Sequence, residues 1–162
     1  MANPIRVLLI DDEVDFLESV SYWLTSKGYD VTKAVGGEPG LQIVKEGRHD
    51  VVFLDVMMPG IDGIETLRRI RTFNKTLPVI LVTAATTEDS KFAGAKALGI
   101  SGLFPKGGSL TQLVEVLQVA IRILPKTHAQ SAASSDAPRA HPLQKLLASV
   151  RALLGKFTRP TR

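Results

Sequence analysis

Residues 51–63 read VVFLDVMMPGIDG. Four apolar residues in succession lead to a single acid, Asp55, and then to a turn marked by Pro59-Gly60. A strand that is apolar at every position, rather than at every second one, is covered on both faces, as strands of parallel sheets are. The same pattern stands upstream, where the run Ile5–Ile10 meets Asp11, Asp12 and Glu13, and downstream, where Val79–Thr83 ends in a hydroxyl. Two weaker runs, Tyr29–Ala34 and Gly102–Phe104, complete five candidate strands.

Between the runs the apolar residues recur every three to four positions. A helix is predicted from about Val14 to Lys27, with Phe16, Leu17, Val20, Trp23 and Leu24 on its inner face and Gly28 as its stop. A second starts near Glu38-Pro39, where Pro suits a first turn, and ends by Gly47. A third spans about Gly63 to Phe73, and a fourth Glu88 to Leu98. The fifth runs from Ser109 to about Leu124, and Ser109 with Gln112 has the spacing of a capping box. Strict strand–helix alternation predicts an α/β domain: a doubly wound parallel sheet with right-handed crossovers and helices on both faces. Sites in such sheets lie outside the carboxyl ends of the strands.

The composition narrows the chemistry. There is no cysteine among the 162 residues, so neither disulfides nor thiolate metal sites are available. The first residues lack the pattern of a signal peptide, and no apolar stretch has membrane-spanning length, so a cytoplasmic setting is expected. The formal net charge of +4 is unevenly spread. Residues 1–124 carry 13 Lys/Arg against 15 Asp/Glu, whereas residues 125–162 carry seven against one. The main domain therefore offers no basic surface, and direct nucleic-acid binding is not expected.

The alternation brings Asp11 and Asp12, Asp55, Thr83 and Lys106 to one crevice at the strand ends. Taken singly, each has a plainer explanation. The aspartates would suit a helix start, the threonine has β propensity, and the lysine would be a solvated surface residue. Together they point elsewhere. Three carboxylates in one place raise one another's pKa, and a hard divalent cation reverses that penalty. Oxygen ligands without Cys or His suit Mg2+, and a lysine and a hydroxyl opposite can hold phosphoryl oxygens. A carboxylate in that setting can act as the nucleophile of phosphoryl transfer.

LLIDDE (8–13), DVMMPGIDG (55–63), ILVTA (80–84) and the segment around Lys106 resemble, in order and spacing, the receiver domain of response regulators in two-component signalling, close to the chemotaxis regulators. The likeness covers about residues 5–124 and implies a flavodoxin-like five-stranded sheet of order 2-1-3-4-5. It also implies roles. Asp55 would accept a phosphoryl group from a sensor histidine kinase or phosphotransfer protein. Asp12 would bind Mg2+ directly, Asp11 mainly through water, and the backbone carbonyl of Met57 would be a further ligand. Thr83 and Lys106 would contact the phosphoryl group. A downstream protein partner would bind the face made by the fourth helix, fifth strand and fifth helix, and homodimerisation is a separate expectation.

The sequence also departs from the family. Receivers usually carry Lys-Pro with a cis bond, but here the order is Pro105-Lys106-Gly107-Gly108. Without proline a cis bond costs about 2.5–4 kcal/mol, so a trans bond is expected. The family's switch aromatic falls at Leu103, and Phe104 next to it should face the other way. Met57 and Ala85 occupy the positions that influence phosphoryl lifetime, and neither can orient a water, so slow self-dephosphorylation is expected.

Beyond residue 125 the reading is of a flexible linker at 126–140 and a basic amphipathic helix at 141–162, suited to a partner groove or an anionic membrane surface. It is too short for a DNA-binding output domain with its own core. Two alternatives stand beside the signalling switch: a pseudo-receiver scaffold that is not phosphorylated, and an aspartate-nucleophile phosphohydrolase. The latter needs an acid two residues after the nucleophile, where this chain has Met57. No turnover of an external substrate is expected.

Overall fold

A computed structural model describes residues 3–84 and 90–122, and the proposed linker and tail lie outside them. Ten elements alternate: β1 (Arg6–Asp11), α1 (Val14–Ser26), β2 (Asp30–Val35), α2 (Gly37–Lys45), β3 (Val51–Asp55), α3 (Gly63–Phe73), β4 (Val79–Thr83), α4 (Ser90–Ala97), β5 (Gly102–Pro105) and α5 (Leu110–Arg122). All strand pairings are parallel, in the order β2-β1-β3-β4-β5. This is the expected flavodoxin-like sheet.

The continuous apolar runs resolve into two cores, one on each side of the sheet. Leu8, Ile10, Val52, Leu54, Val79 and Leu81 point to one side, where Leu41, Val44, Leu67 and Ile70 of α2 and α3 meet them. Val7, Leu9, Val51, Phe53, Ile80 and Val82 point to the other, against Leu17, Val20 and Leu24 of α1 and Leu113, Leu117 and Ala120 of α5. Strand side chains alternate in direction, so only a strand apolar at every position can feed both layers. β1, β3 and β4 do so, whereas β2, at the edge, buries only Ala34. Trp23 and Phe16 are half-buried at the margin of the second core, and the Nζ of Lys27 lies 5.4 Å from the Trp23 ring centre.

The ends of the helices are tied by specific polar contacts. Ser109 Oγ accepts from the amide of Gln112, and Gln112 Oε1 accepts from the amide of Ser109, the reciprocal capping box expected at the start of α5. Asp62 caps α3, its Oδ1 accepting from the amide of Glu65 at 2.8 Å. Asp62→Ala should lower stability by about 1 kcal/mol, read from the urea midpoint at constant slope. At the other end of α3, the half-buried guanidinium of Arg71 donates to the carbonyls of Leu98, Gly99 and Asn74 at 2.9, 2.9 and 3.1 Å. It thereby joins the end of α3 to the end of α4.

Candidate functional site

The carboxyl ends of β1 and β3 place Asp11 and Asp55 side by side, and both are 1% exposed. β1 lies between β2 and β3, so its end is where the strand order reverses, and a crevice opens there. Asp12, half-buried, follows directly. Asp11, Asp12 and Asp55 can each offer a carboxylate oxygen such that all three lie within 4.8 Å of one another. Thr83 is buried at the end of β4, and its backbone carbonyl accepts the amide of Lys106 at 2.9 Å. That bond carries the pairing of β4 and β5 one residue beyond β5 and fixes where the lysine leaves the sheet.

Lys106 reaches the acids. Its Nζ lies 3.0 Å from Asp11 Oδ2, 3.3 Å from Asp55 Oδ2 and 2.7 Å from Glu13 Oε1, with the side chain 14% exposed. There is no cis peptide bond among the described residues, so the Lys106-Gly107 bond is trans, as expected from the missing proline. Gly108 N donates to the carbonyl of Pro105 at 2.8 Å, which closes the loop without that proline. Leu103 packs with the α2/α3 core and Phe104 lies buried with the α1/α5 core, so the two do face opposite ways.

The electrostatics of this cluster are unbalanced. Burial, and then the neighbouring charge of Asp11, push the Asp55 carboxyl up to about 6, although Lys106 and the amide of Met57 pull the other way. Burial likewise raises Asp11, opposed by the amide of Glu13 and by Lys106. Burial alone would lower Lys106, but Glu13, Asp11 and Asp55 outweigh it and hold the ammonium above its ordinary range. Both oxygens of Asp55, and Oδ2 of Asp11, are buried without a well-formed hydrogen bond. The ion pair with Lys106 is their principal compensation. Buried carboxylate oxygens with unused lone pairs, converging on one point and free of nitrogen or sulfur donors, fit a hard divalent cation such as Mg2+.

Two contacts of Lys106 are not readable in the sequence as site features. Glu13 is its nearest carboxylate, and the Phe16 ring centre lies 5.2 Å from Nζ. The only sequence signal for Glu13 is its place as the third of three consecutive acids. Met57 is 58% exposed in the loop after β3, and Ala85 lies outside the described residues. No helix among the described residues is long and apolar enough to cross a membrane.

Residues 7–118 match the response regulator receiver domain family. Among characterised relatives, response regulator MprA of Mycolicibacterium vanbaalenii is 34% identical over 119 residues, 74% of this chain and 51% of that protein. The probable transcriptional regulatory protein TcrX of Mycobacterium tuberculosis is 38% identical over 97 residues, 60% of this chain and 42% of that protein. This chain thus spans about half the length of such relatives or less. Among solved structures, chemotaxis protein CheY4 of Vibrio cholerae superposes with a TM-score of 0.68 at 31% identity, covering 75% of this chain and 99% of that one. Response regulator TrrA of Thermotoga maritima, in complex with Mg2+-BeF, gives a TM-score of 0.64 at 30% identity over 72% of this chain and 98% of that one. Strand order, the acids at the ends of β1 and β3, and the sequence matches agree: the chain belongs to the response regulator receiver domain family of two-component signalling.

Proposed function

We propose that this receiver is a phosphorylation-dependent switch in which Asp55 is the phosphoacceptor. The observation that carries the reading is the Asp55 carboxylate itself, buried beside Asp11 yet within 3.3 Å of the Lys106 ammonium. An Asp55 oxygen attacks the phosphorus of a phosphohistidine on a sensor histidine kinase or phosphotransfer protein, and the histidine nitrogen leaves. Lys106 neutralises phosphoryl oxygens, and the Thr83 hydroxyl approaches them from β4. Asp12, Asp55, the backbone carbonyl of Met57 and, mainly through water, Asp11 would hold Mg2+, which when bound offsets the crowded negative charge. The Mg2+-BeF complex of TrrA, with 30% identity to this chain, supports that assignment.

Phosphorylation would shift a two-state equilibrium and change contacts at the face of α4, β5 and α5. The proposed division is a receiver at 1–125, a linker at 126–140 and a basic helical tail at 141–162. The family match over residues 7–118 supports the extent of the receiver. In this reading the output of the receiver is a protein contact, homodimerisation included, in the cytoplasm. The name of TcrX favours a second reading, a transcriptional output. A salt-dependent shift of DNA by the full chain would select it.

Incubation with Mg2+ and acetyl phosphate tests the main reading. The intact mass should rise by one phosphoryl group in wild type and not in Asp55→Ala. An unchanged wild-type mass would leave the pseudo-receiver reading standing, and continuous release of phosphate from small esters would select the phosphohydrolase. Lys106→Ala should slow phosphoryl uptake by roughly 10- to 100-fold, the loss expected for one charge-assisted contact. With Met57 unable to orient an attacking water, the phosphorylated form should persist long after the donor is removed.

A further inference from the structure

Lys106 has three carboxylate partners, and they are not equivalent. Asp11 and Asp55 belong to the cluster that can hold a cation, whereas Glu13 stands outside it. Glu13 is also the nearest to Nζ, at 2.7 Å. Its side chain is 62% exposed, a setting in which an isolated ion pair contributes little. Here the pair is not isolated. The amide of Glu13 donates to Asp11 Oδ1 at 2.8 Å, which fixes the turn between β1 and α1 and with it the direction of the Glu13 side chain. The same Oδ1 accepts from Lys106 Nζ at 3.1 Å, and Phe16, one turn into α1, brings its ring within 5.2 Å of the ammonium. The start of α1 thus supplies a carboxylate and a ring to a lysine 93 residues away.

A divalent cation on Asp11, Asp12 and Asp55 would place two positive charges within a few ångströms of Nζ. Like charges at that range repel strongly in a half-buried site, so the contacts of Lys106 with Asp11 and Asp55 cannot persist unchanged. Glu13 is the partner that remains. We infer that Glu13 is a positioning residue, the anchor that keeps the Lys106 ammonium at the mouth of the pocket when a divalent cation occupies Asp11 and Asp55. Without it the four-carbon stem would swing into solvent, and the ammonium would have to be recaptured by each incoming phosphoryl group. The inference rests on the cation site proposed above.

The test uses the full chain and needs no phosphorylation. Acylation of Lys106 by a small amine-reactive ester is followed by peptide mass spectrometry with and without Mg2+, alongside the melting midpoint. Glu13→Gln is compared with wild type and with Glu18→Gln, which removes an exposed acid of α1 that pairs with Lys33 instead. The Glu13 side chain makes no capping bond to α1, so its replacement leaves the helix start intact. Mg2+ should raise the midpoint of all three proteins. It should leave Lys106 acylation nearly constant in wild type and Glu18→Gln, and increase it roughly fivefold in Glu13→Gln. A raised midpoint with the same Mg2+ response of Lys106 in wild type and Glu13→Gln overturns the anchor and spares the cation site. No change of midpoint in any protein overturns both.

Discussion

Asp55→Asn is expected to melt higher than wild type at pH 7 when divalent cations are removed with a chelator. The Asp55 carboxyl is pushed up to about 6 by burial and by Asp11, against an ordinary value of 3.8. Between those values the folded protein binds more protons than the unfolded chain, so stability falls as pH rises through the window. Above it the ionised group costs the fold about 3 kcal/mol, because each pKa unit corresponds to about 1.4 kcal/mol. Asparagine keeps the shape and removes the charge. The gain at pH 7 should therefore be about 1–3 kcal/mol, a midpoint several degrees higher. Below about pH 3 the two proteins should converge, since Asp55 is then protonated in both states. Added Mg2+ should stabilise wild type and close the gap, by mass action on the native form. Equal midpoints at pH 7 would mean that Asp55 is not held at the cost its burial implies.

Gly63→Ala is expected to be the most damaging of small changes. A Cβ at that position would stand 2.0 Å from the carbonyl oxygen of Asp55 and 2.8 Å from the Cα of Val56. Both are backbone atoms at the end of β3 and cannot rotate aside. The amide of Gly63 donates to the carbonyl of Val56 at 3.0 Å, so the first turn of α3 is held flat against the strand end. Relief requires α3 to lift, drawing its Leu67 and Ile70 away from the core they share with Leu8, Val52 and Leu54, at a cost of about 3 kcal/mol or more. The displaced carbonyl belongs to the proposed phosphoacceptor, so phosphoryl uptake should fall with stability. Gly94→Ala is the control: nothing lies within 4 Å of its Cβ position in α4, and the helix should gain about 0.5–1 kcal/mol. Urea titrations of the two variants should move in opposite directions.

The sheet was legible because β1, β3 and β4 are apolar at consecutive positions, a pattern that two-sided burial demands and little else produces. The acids were legible for a related reason: a polar residue at the end of such a run has only the strand end to occupy. β2 was less sharply bounded, because an edge strand with one buried side chain lets polar residues intrude. Gly63 read only as the start of the third helix, because its requirement is for space beside Asp55, and a lack of space leaves no mark on periodicity. Glu13 was hidden for a different reason. Its contact spans 93 residues and depends on a turn set by Asp11, which no local pattern encodes. Gly40 belongs with Gly63: a Cβ there would stand 2.5 Å from Ile10, so the glycine lets α2 lie close to β1.

The bridge made by Arg71 limits how this protein can deform. Three carbonyls drawn from the closing turns of two helices share one guanidinium, and prising those turns apart would break its bonds to the Leu98 and Gly99 carbonyls together. Displacement of α4 relative to α3 is thereby steered into rotation about that fulcrum, with the amplitude growing toward the amino end of α4, which lies at the same edge of the sheet, the carboxyl ends of the strands, as Asp55.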